Sequence, residues 1–351
     1  MGLSLISIGL SDEMDMSLRA LDEARSCDAL YLEQYTTVLE TDIERLRQVT
    51  GRQIQLLKRS DLEEDSEKIL QEAQRMKVGL LVGGDCLTAT THVTLIVEAA
   101  KLGIKTNTIH GSSILTAIAE TGLSPYGFGK PVTIPFRTDG IPVKSPYRVL
   151  QENLMRGLHT LFLLDIDTEN RRYLTAPLAI RQLLDIEAEE VDGAFTKDTF
   201  TVAAARLGSD SRSIVAGKAK DLAEQSLGPP PHILIVPGRL HFTEEEALQV
   251  LTGCSREEIR GRTVHVENLE ARTRKYIASC EKALRELKPS QLPRTVEDNK
   301  LRELLGYAET YLADSKHYVE AGKHASALAS VGYSEGILDA LRLLKLAEFE
   351  W

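Results

Sequence analysis

A series of short apolar runs dominates the first three quarters of this chain. They fall at residues 3–8, 29–32, 78–82, 105–109, 161–164, 201–205 and 233–236, and each is bounded by Gly, Pro, Asp or Ser. Runs this short and this apolar read as buried strands. Helical patterns lie between them, at residues 16–27, 66–75, 91–102 and 150–156, the first placing Leu18, Leu21 and Ala24 at helical spacing. Strand and helix in alternation predict an α/β architecture with largely parallel sheets. Glycines and prolines thicken between Gly122 and Pro146, as in long loops laid over a site.

From about residue 264 the pattern changes, and strand signals give way to helical stretches at 267–287, 296–321 and 324–346. Pro289 and Pro293 mark a linker after the first, since neither can donate to a helical ladder. Leu301, Leu304, Leu305, Ala308, Tyr311 and Leu312 share one side of the second helix, and Gly322 stands where a helix ends in a left-handed residue. The last stretch carries Ala325, Leu328, Val331, Gly332, Gly336, Ala340 and Leu344, small enough in places for very close packing. A helical hairpin is the plain reading, with Tyr307, Tyr311 and Tyr318 as packing residues.

Length and charge narrow the class. The 351 residues suffice for two or three domains. A net charge of −10, from 42 basic and 52 acidic side chains, disfavours a general nucleic-acid binder, which needs cations to displace counterions. The four cysteines include no C-x-x-C pair, so a reducing cytoplasm fits better than a disulfide framework. No apolar run approaches the ~18 residues of a membrane span. The N-terminus lacks a basic signal-peptide segment and has Ile6 where a myristoylation site needs Ser or Thr. The expectation is a soluble cytoplasmic protein with no membrane or direct nucleic-acid partner.

Loops that follow the strands are where chemistry is expected, because ligands of open α/β sheets settle beyond the strands' carboxyl ends. They are Gly9-Leu10-Ser11-Asp12, Gly83-Gly84-Asp85-Cys86, His110-Gly111-Ser112-Ser113-Ile114 and Asp165-Ile166-Asp167, with Pro229-Pro230-Pro231-His232 preceding a strand. Glycine lets backbone approach a ligand there, although Gly-turn-Asp is also an ordinary exit from a sheet. Asp85 has a plain alternative role, capping a helix that starts near Thr90. A nicotinamide-binding unit fits poorly, since the first turn offers only Gly9, and no P-loop, G-x-S-x-G or H-E-x-x-H string occurs. His92, His110, His159, His232 and His241 lack ligand spacing, so each reads first as structural and no metal is expected.

The same loops resemble the diphthine synthase family of the tetrapyrrole-methylase superfamily, over about residues 3–266. The matching segments include Ile8-Gly9-Leu10 with Asp12-Glu13-Met14-Asp15, Leu32-Glu33-Gln34-Tyr35-Thr36, Gly84-Asp85 with Ala89-Thr90-Thr91-His92, and Ile109-His110 with Ser113-Ile114. Thr121-Gly122-Leu123, Phe128-Gly129-Lys130, Gly157-Leu158-His159-Thr160-Leu161, Leu164-Asp165-Ile166 and the run from Pro230 to Gly238 complete them. The resemblance implies a two-domain methylase fold, with α/β domains at residues 1–110 and 111–266, usually homodimeric. It implies S-adenosylmethionine held in the cleft by Leu10, Asp85, Thr88, Ser113, Ile114, Leu164, Leu207 and His232. It further implies translation elongation factor 2 as substrate, repeatedly methylated on the amine of an aminocarboxypropyl-modified histidine toward diphthamide, with three transfers in the archaeal pattern. No general base is implied.

Two departures stand out. The family reads Pro-Gly-Asp-Pro where this chain has Gly83-Gly84-Asp85-Cys86, and often alanine where Gly111 stands. Losing both prolines is expected to loosen the turn around Asp85. Residues 267–351 resemble a separate archaeal helical domain of unknown function through Ala321-Gly322-Lys323, Tyr333-Ser334-Glu335-Gly336 and Leu338-Asp339-Ala340-Leu341-Arg342. That implies an interaction module of unknown partner. A methylase of tetrapyrroles or other small molecules, and a non-catalytic scaffold on the same fold, are the competing readings.

Overall fold

A computed structural model of the chain describes residues 1–33, 35, 37–63, 65–260, 269–289 and 298–351. Gln34 and Thr36 of the second matched motif lie outside the described residues, as do the expected domain boundary near 266 and most of the proline linker. The chain divides into two compact units, Met1–Glu189 with Ala194–Val264, and Glu190–Gly193 with His265–Trp351.

The first half of the larger unit runs β1 (Gly2–Gly9), α1 (Leu18–Ser26), β2 (Ala29–Glu33), α2 (Ile43–Thr50), β3 (Ile54–Leu57), α3 (Arg59–Glu63), α4 (Glu67–Ala73), β4 (Lys77–Gly83), α5 (Val93–Lys101) and β5 (Thr106–Ile109). Its five strands pair in the order β3-β2-β4-β1-β5, all parallel. Every residue of β1 is buried, as a central parallel strand covered on both faces requires. Leu3 and Leu5 pack with Val78 and Leu80 against Ile69, Leu70 and Leu95 on one side. Ile6 and Ile8 pack with Leu30 and Leu32 against Ala20, Ala24 and Leu46 on the other. Helix α1 therefore turns inward on Ala20 and Ala24, while Leu18, expected among its apolar positions, is 83% exposed. Ser17 Oγ accepts the Ala20 N–H and starts this helix, a cap worth ~1 kcal/mol.

The second half contains α6 (Ile114–Ala117), β6 (Val132–Ile134), α7 (Ser145–Met155), β7 (Thr160–Leu164), β8 (Ile166–Asp167), β9 (Arg172–Tyr173), α8 (Ala176–Glu190), β10 (Phe200–Ala205), β11 (Ser213–Lys218), α9 (Ala219–Leu222), β12 (His232–Val236), α10 (Phe242–Thr252) and α11 (Arg256–Arg260). Its sheet has the order β11-β10-β12-β7-β6. Only β6 and β7 pair in parallel, and the other neighbours are antiparallel. The expectation of largely parallel sheets thus holds for the first half and not the second. The reason is the connection 206–212, which carries no helix and is too short for a crossover, so β10 and β11 form a hairpin. Side chains still alternate, with Phe162, Leu164, Leu234 and Val236 facing Leu150 and Leu183. Leu161, Ile233 and Ile235 face Leu248 on the opposite side.

The smaller unit is a bundle of α12 (Leu269–Glu286), α13 (Asp298–Glu320) and α14 (His324–Leu343). Ile277 and Cys280, Ala308 and Leu312, and Val331 and Leu338 bring all three helices into one core. Helices α13 and α14 supply the expected hairpin, and α12 completes a three-helix bundle. Gly322 (φ 68°) ends α13, with its N–H on Val319 O and that of Lys323 on Tyr318 O. The buried stripe of α14 is Ala327, Val331, Ser334, Leu338 and Leu341. The stripe of small residues expected to pack closely is the exposed one, and a side chain added at Gly332 or Gly336 would meet nothing within 4 Å. A two-residue ladder, β13 (Lys288–Pro289) with β14 (Ala347–Glu348), adds strand structure where none is expected. Among the described residues no helix is long and apolar enough to cross a membrane.

Candidate functional site

Three loops leave the carboxyl ends of β1, β4 and β5 side by side. The first is pinned by Asp15, whose Oδ2 accepts the N–H groups of Leu10 (3.1 Å) and Ser11 (2.7 Å). Gly9 (φ 106°) permits this, because a Cβ there would lie 2.3 Å from the Asp15 Cβ. Gly9 and Gly84 exchange backbone hydrogen bonds of 3.2 and 2.6 Å, tying the first loop to the second.

Asp85, 6% exposed, sits at the centre. Its Oδ1 accepts from Leu87 N (3.0 Å) and Thr88 Oγ1 (3.1 Å), and its Oδ2 from Gly111 N (3.2 Å) and His110 Nδ1 (2.8 Å). Burial opposes the charge, but the donors Leu87, His110, Gly111 and Thr88 outweigh it and hold the carboxyl below its ordinary range. An ionised carboxylate only accepts, so His110 presents an Nδ1–H to it. Asp85 thus caps its own turn and clamps the β4 and β5 loops together. It does not cap α5, which begins at Val93 and has His92 as its unassisted cap.

The departures from the family pattern have local partners. A Cβ at Gly83 would stand 2.1 Å from Thr37 Cγ2, and one at Gly111 would stand 2.6 Å from Ser7 Cβ. Thr37 and Ser7 thus occupy the space that proline and alanine side chains would need. The turn expected to be loose is held by the four donors on Asp85.

The second half supplies the opposite wall. His232 is buried at the start of β12. Its Nδ1 accepts the Ala176 N–H (3.3 Å), and its Nε2 faces Gly228 O (3.0 Å) and Pro229 O (3.2 Å), so Nε2 carries the proton. Burial pushes its pKa down despite those two carbonyls, and the ring stays neutral. Arg206 (φ 51°) anchors the loop after β10 on Pro229 O and on Ser211 Oγ (2.8 Å). A positive φ at a non-glycine residue stores strain of the kind that clusters at ligand sites.

Between these walls lies a cavity of about 280 Å³, at the lower end of small-molecule sites (~300–1,000 Å³). The structure brings Leu10, Asp85, Thr88, Ser113, Ile114, Leu164, Leu207 and His232 all to its lining. Ser113 is engaged as the cap of α6, with Oγ accepting from Leu115 N (3.2 Å). Among the lining residues outside the candidate set are Tyr35, Arg59 and Asp165. Asp165 was legible in part, since it follows β7 in a loop already singled out, but nothing local in the sequence points to Arg59.

Other matched motifs are structural. His159, 1% exposed, accepts the Gly238 N–H on Nδ1 (2.9 Å) and meets Glu244 through Nε2 (3.2 Å), with Phe128 edge-on at 5.2 Å. A Cβ at Gly127 would lie 2.7 Å from His159 Nε2, and one at Gly129 would lie 2.1 Å from Asn153 Oδ1. Phe128-Gly129-Lys130 and Gly157-Leu158-His159 are therefore a packed joint away from the cavity lining.

Residues 2–223 match the family described as tetrapyrrole (corrin/porphyrin) methylases, and residues 275–347 match a family described as protein of unknown function (DUF357). The cleft and the match together define the class, an S-adenosylmethionine-dependent methyltransferase on the tetrapyrrole-methylase fold. The chain is 42% identical over 252 residues to a diphthine synthase of Methanocaldococcus jannaschii, covering 71% of this chain and 98% of the relative. It is 36% identical over 289 residues to a diphthine methyl ester synthase of Schizosaccharomyces pombe, covering 78% and 98%. A crystal structure of diphthine synthase superposes with a TM-score of 0.68 at 34% identity, covering 74% of this chain and 98% of that one. Within its class the chain belongs to the diphthine synthase family.

Proposed function

We propose that this protein methylates, repeatedly, the amine of an aminocarboxypropyl-modified histidine on translation elongation factor 2, in diphthamide biosynthesis, with S-adenosylmethionine as donor. The observation that carries the reading is the convergence of the eight candidate residues, from both halves, on one cavity. Its donor set suits a cationic nucleoside. Leu10, Ile114, Leu164 and Leu207 offer apolar walls, Asp85 and Asp165 offer negative charge opposite the guanidinium groups of Arg59 and Arg206, and burial lowers the His232 pKa so that it adds no third cation.

Bound there, S-adenosylmethionine would supply an electrophilic methyl group on a sulfonium centre. The chain's own part is to position and to exclude water. Asp15 and Asp85 fix the backbone of three loops, so that their exposed edges are preorganised. Such orientation alone can lower a barrier by ~7–11 kcal/mol. The acceptor amine must be neutral to attack, and a partly desolvated cleft favours the neutral form without a dedicated base.

The reading includes α/β domains at 1–110 and 111–266, a helical interaction module at 267–351, a homodimer and a cytoplasmic location. Buried free thiols at Cys27, Cys86, Cys254 and Cys280 support a reducing compartment. The test is incubation with labelled S-adenosylmethionine and factor carrying the modified histidine. Label on that histidine, growing to three methyl groups by mass, is the expected result. Label that appears only on an extracted small molecule, or nowhere, would overturn it.

A further inference from the structure

A second cavity, of about 390 Å³, adjoins the first and shares Arg59, Ala89, Thr90, Thr133 and Leu163 with it. None of the eight residues assigned to the cofactor lines this outer cavity. Among the described residues its wall carries charge at one place, the guanidinium of Arg59. That side chain starts α3 at the seam, 5.4 Å from the centre of the buried Tyr35 ring. The Arg59 backbone N–H lies 3.4 Å from Glu169 Oε1, which ties α3 to a loop of the second half.

Asp165 lines the inner cavity and not the outer one. Its carboxylate is fixed by the N–H groups of Phe136 (3.2 Å) and Ile166 (3.0 Å). A cation at the seam and an anion farther in make a polarised channel. The acceptor in the reading above carries a carboxylate and an amine on one carbon, so this inference deepens that reading and rests on it.

We infer that the outer cavity is the acceptor subsite, that Arg59 pairs with the carboxylate of the aminocarboxypropyl group, and that Asp165 receives an N–H of its amine. Entry through the outer cavity then leaves the carboxylate at the seam and turns the amine inward, toward the donor. Arginine suits this place because its planar fork can take a carboxylate through two parallel hydrogen bonds. Arg59 acts as a positioning and specificity residue, and the pair selects an α-amino acid head over a simple alkylamine.

The experiment uses the full-length chain with factor bearing the modified histidine. For Arg59→Gln, the KM for the factor is expected to rise about 10- to 100-fold, the scale of a lost charge-assisted hydrogen bond. Arg59→Lys should recover part of that loss. Asp165→Asn should lower kcat more than it raises the KM for the factor. Calorimetric affinity for S-adenosylmethionine should be unchanged in both Arg59 variants. An unchanged KM for the factor in Arg59→Gln overturns the inference. So does a weakened S-adenosylmethionine affinity that accounts for the whole effect, since the cofactor is itself an α-amino acid and Arg59 would then belong to its site. Wild-type protein that fails to methylate the factor overturns the proposed function and this inference together; wild-type transfer with an indifferent Arg59→Gln variant overturns the inference alone.

Discussion

The Glu40 carboxylate, on the loop after β2, accepts a 2.9 Å hydrogen bond from Ser209 Oγ on the loop after β10, and so latches the two halves across the cleft. Ser211 Oγ adds a second bond to the same oxygen, and the Glu40 N–H anchors on Ser11 O at 2.7 Å. Glu40→Ala removes both hydroxyl contacts while leaving the hydrophobic cores intact. The partly exposed carboxylate limits the cost to about 1 kcal/mol, which calorimetry should register as an approximately fivefold loss of S-adenosylmethionine affinity. An unaltered affinity would remove the latch from the account.

Asp85 should leave a signature in acid. Its folded-state pKa is held below the unfolded value of ~3.9, so its contribution to stability is complete above that value and is lost as pH falls through the folded pKa. Asp85→Asn should be less stable than wild type near neutrality. The gap should close in thermal melts taken stepwise from pH 5 down to pH 2. A gap that stays constant over that range would mean the carboxylate's charge is not what holds the two loops.

His232 predicts the complementary pattern near neutrality. Burial lowers its pKa, so the folded protein prefers the neutral ring. Stability from this residue is present above the unfolded value of ~6.5 and declines as pH drops below it. His232→Gln should weaken cofactor binding yet leave the pH at which activity rises where it was, because a ring locked between Ala176 N and the Gly228 and Pro229 carbonyls moves no proton. A shift of that limb in the variant would make His232 a base after all.

Gly111 and Ser7 form a steric pair. Gly111→Ala places a methyl group 2.6 Å from Ser7 Cβ, and overpacking of this kind costs ~1–3 kcal/mol. Ser7→Gly in the same chain should recover part of that loss in urea melts. Full recovery is not expected, because Ser7 Oγ also accepts the Cys86 N–H at 2.9 Å. Additive losses in the double variant would refute the pairing.

The helical tail should be dispensable for chemistry. The Methanocaldococcus jannaschii relative is matched over 98% of its length by 71% of this chain. A chain ending at residue 266 should therefore bind S-adenosylmethionine and transfer methyl groups like the full chain. Loss of transfer on truncation, with the remaining protein folded by circular dichroism, would assign the tail a direct part in the reaction.

How much of this was legible depended on where a residue sits. Central strands announce themselves, since β1 and β4 are buried on both faces and read as unbroken apolar runs. In the two five-stranded sheets the strands that escaped notice, β3, β6 and β11, are edges, short and half-wetted, with too few apolar residues to stand out. Helix α8 went unread although Ala179, Ile180, Leu183 and Ile186 give it a buried apolar stripe. Helix α10 was not readable, because Phe242, Val250 and Leu251 point outward while Glu244 is buried. The cavity residues were legible from strand-end loops and the family resemblance. Glu40 and Arg59 were not, since their partners Ser209 and Glu169 lie more than a hundred residues away along the chain.

The joint of His159, Glu244 and Phe128 has an evolutionary corollary. Its glycines are dictated by contact distances, so natural selection can discard turnover and still preserve Phe128-Gly129-Lys130 and Gly157-Leu158-His159 merely to keep the molecule folded. A descendant that retained those tripeptides while Gly83–Asp85 or the stretch His110–Ile114 decayed would look like kin and be a pseudoenzyme. Catalytic competence among such cousins is better judged from the Asp85 clamp than from the segments that make kinship easiest to spot.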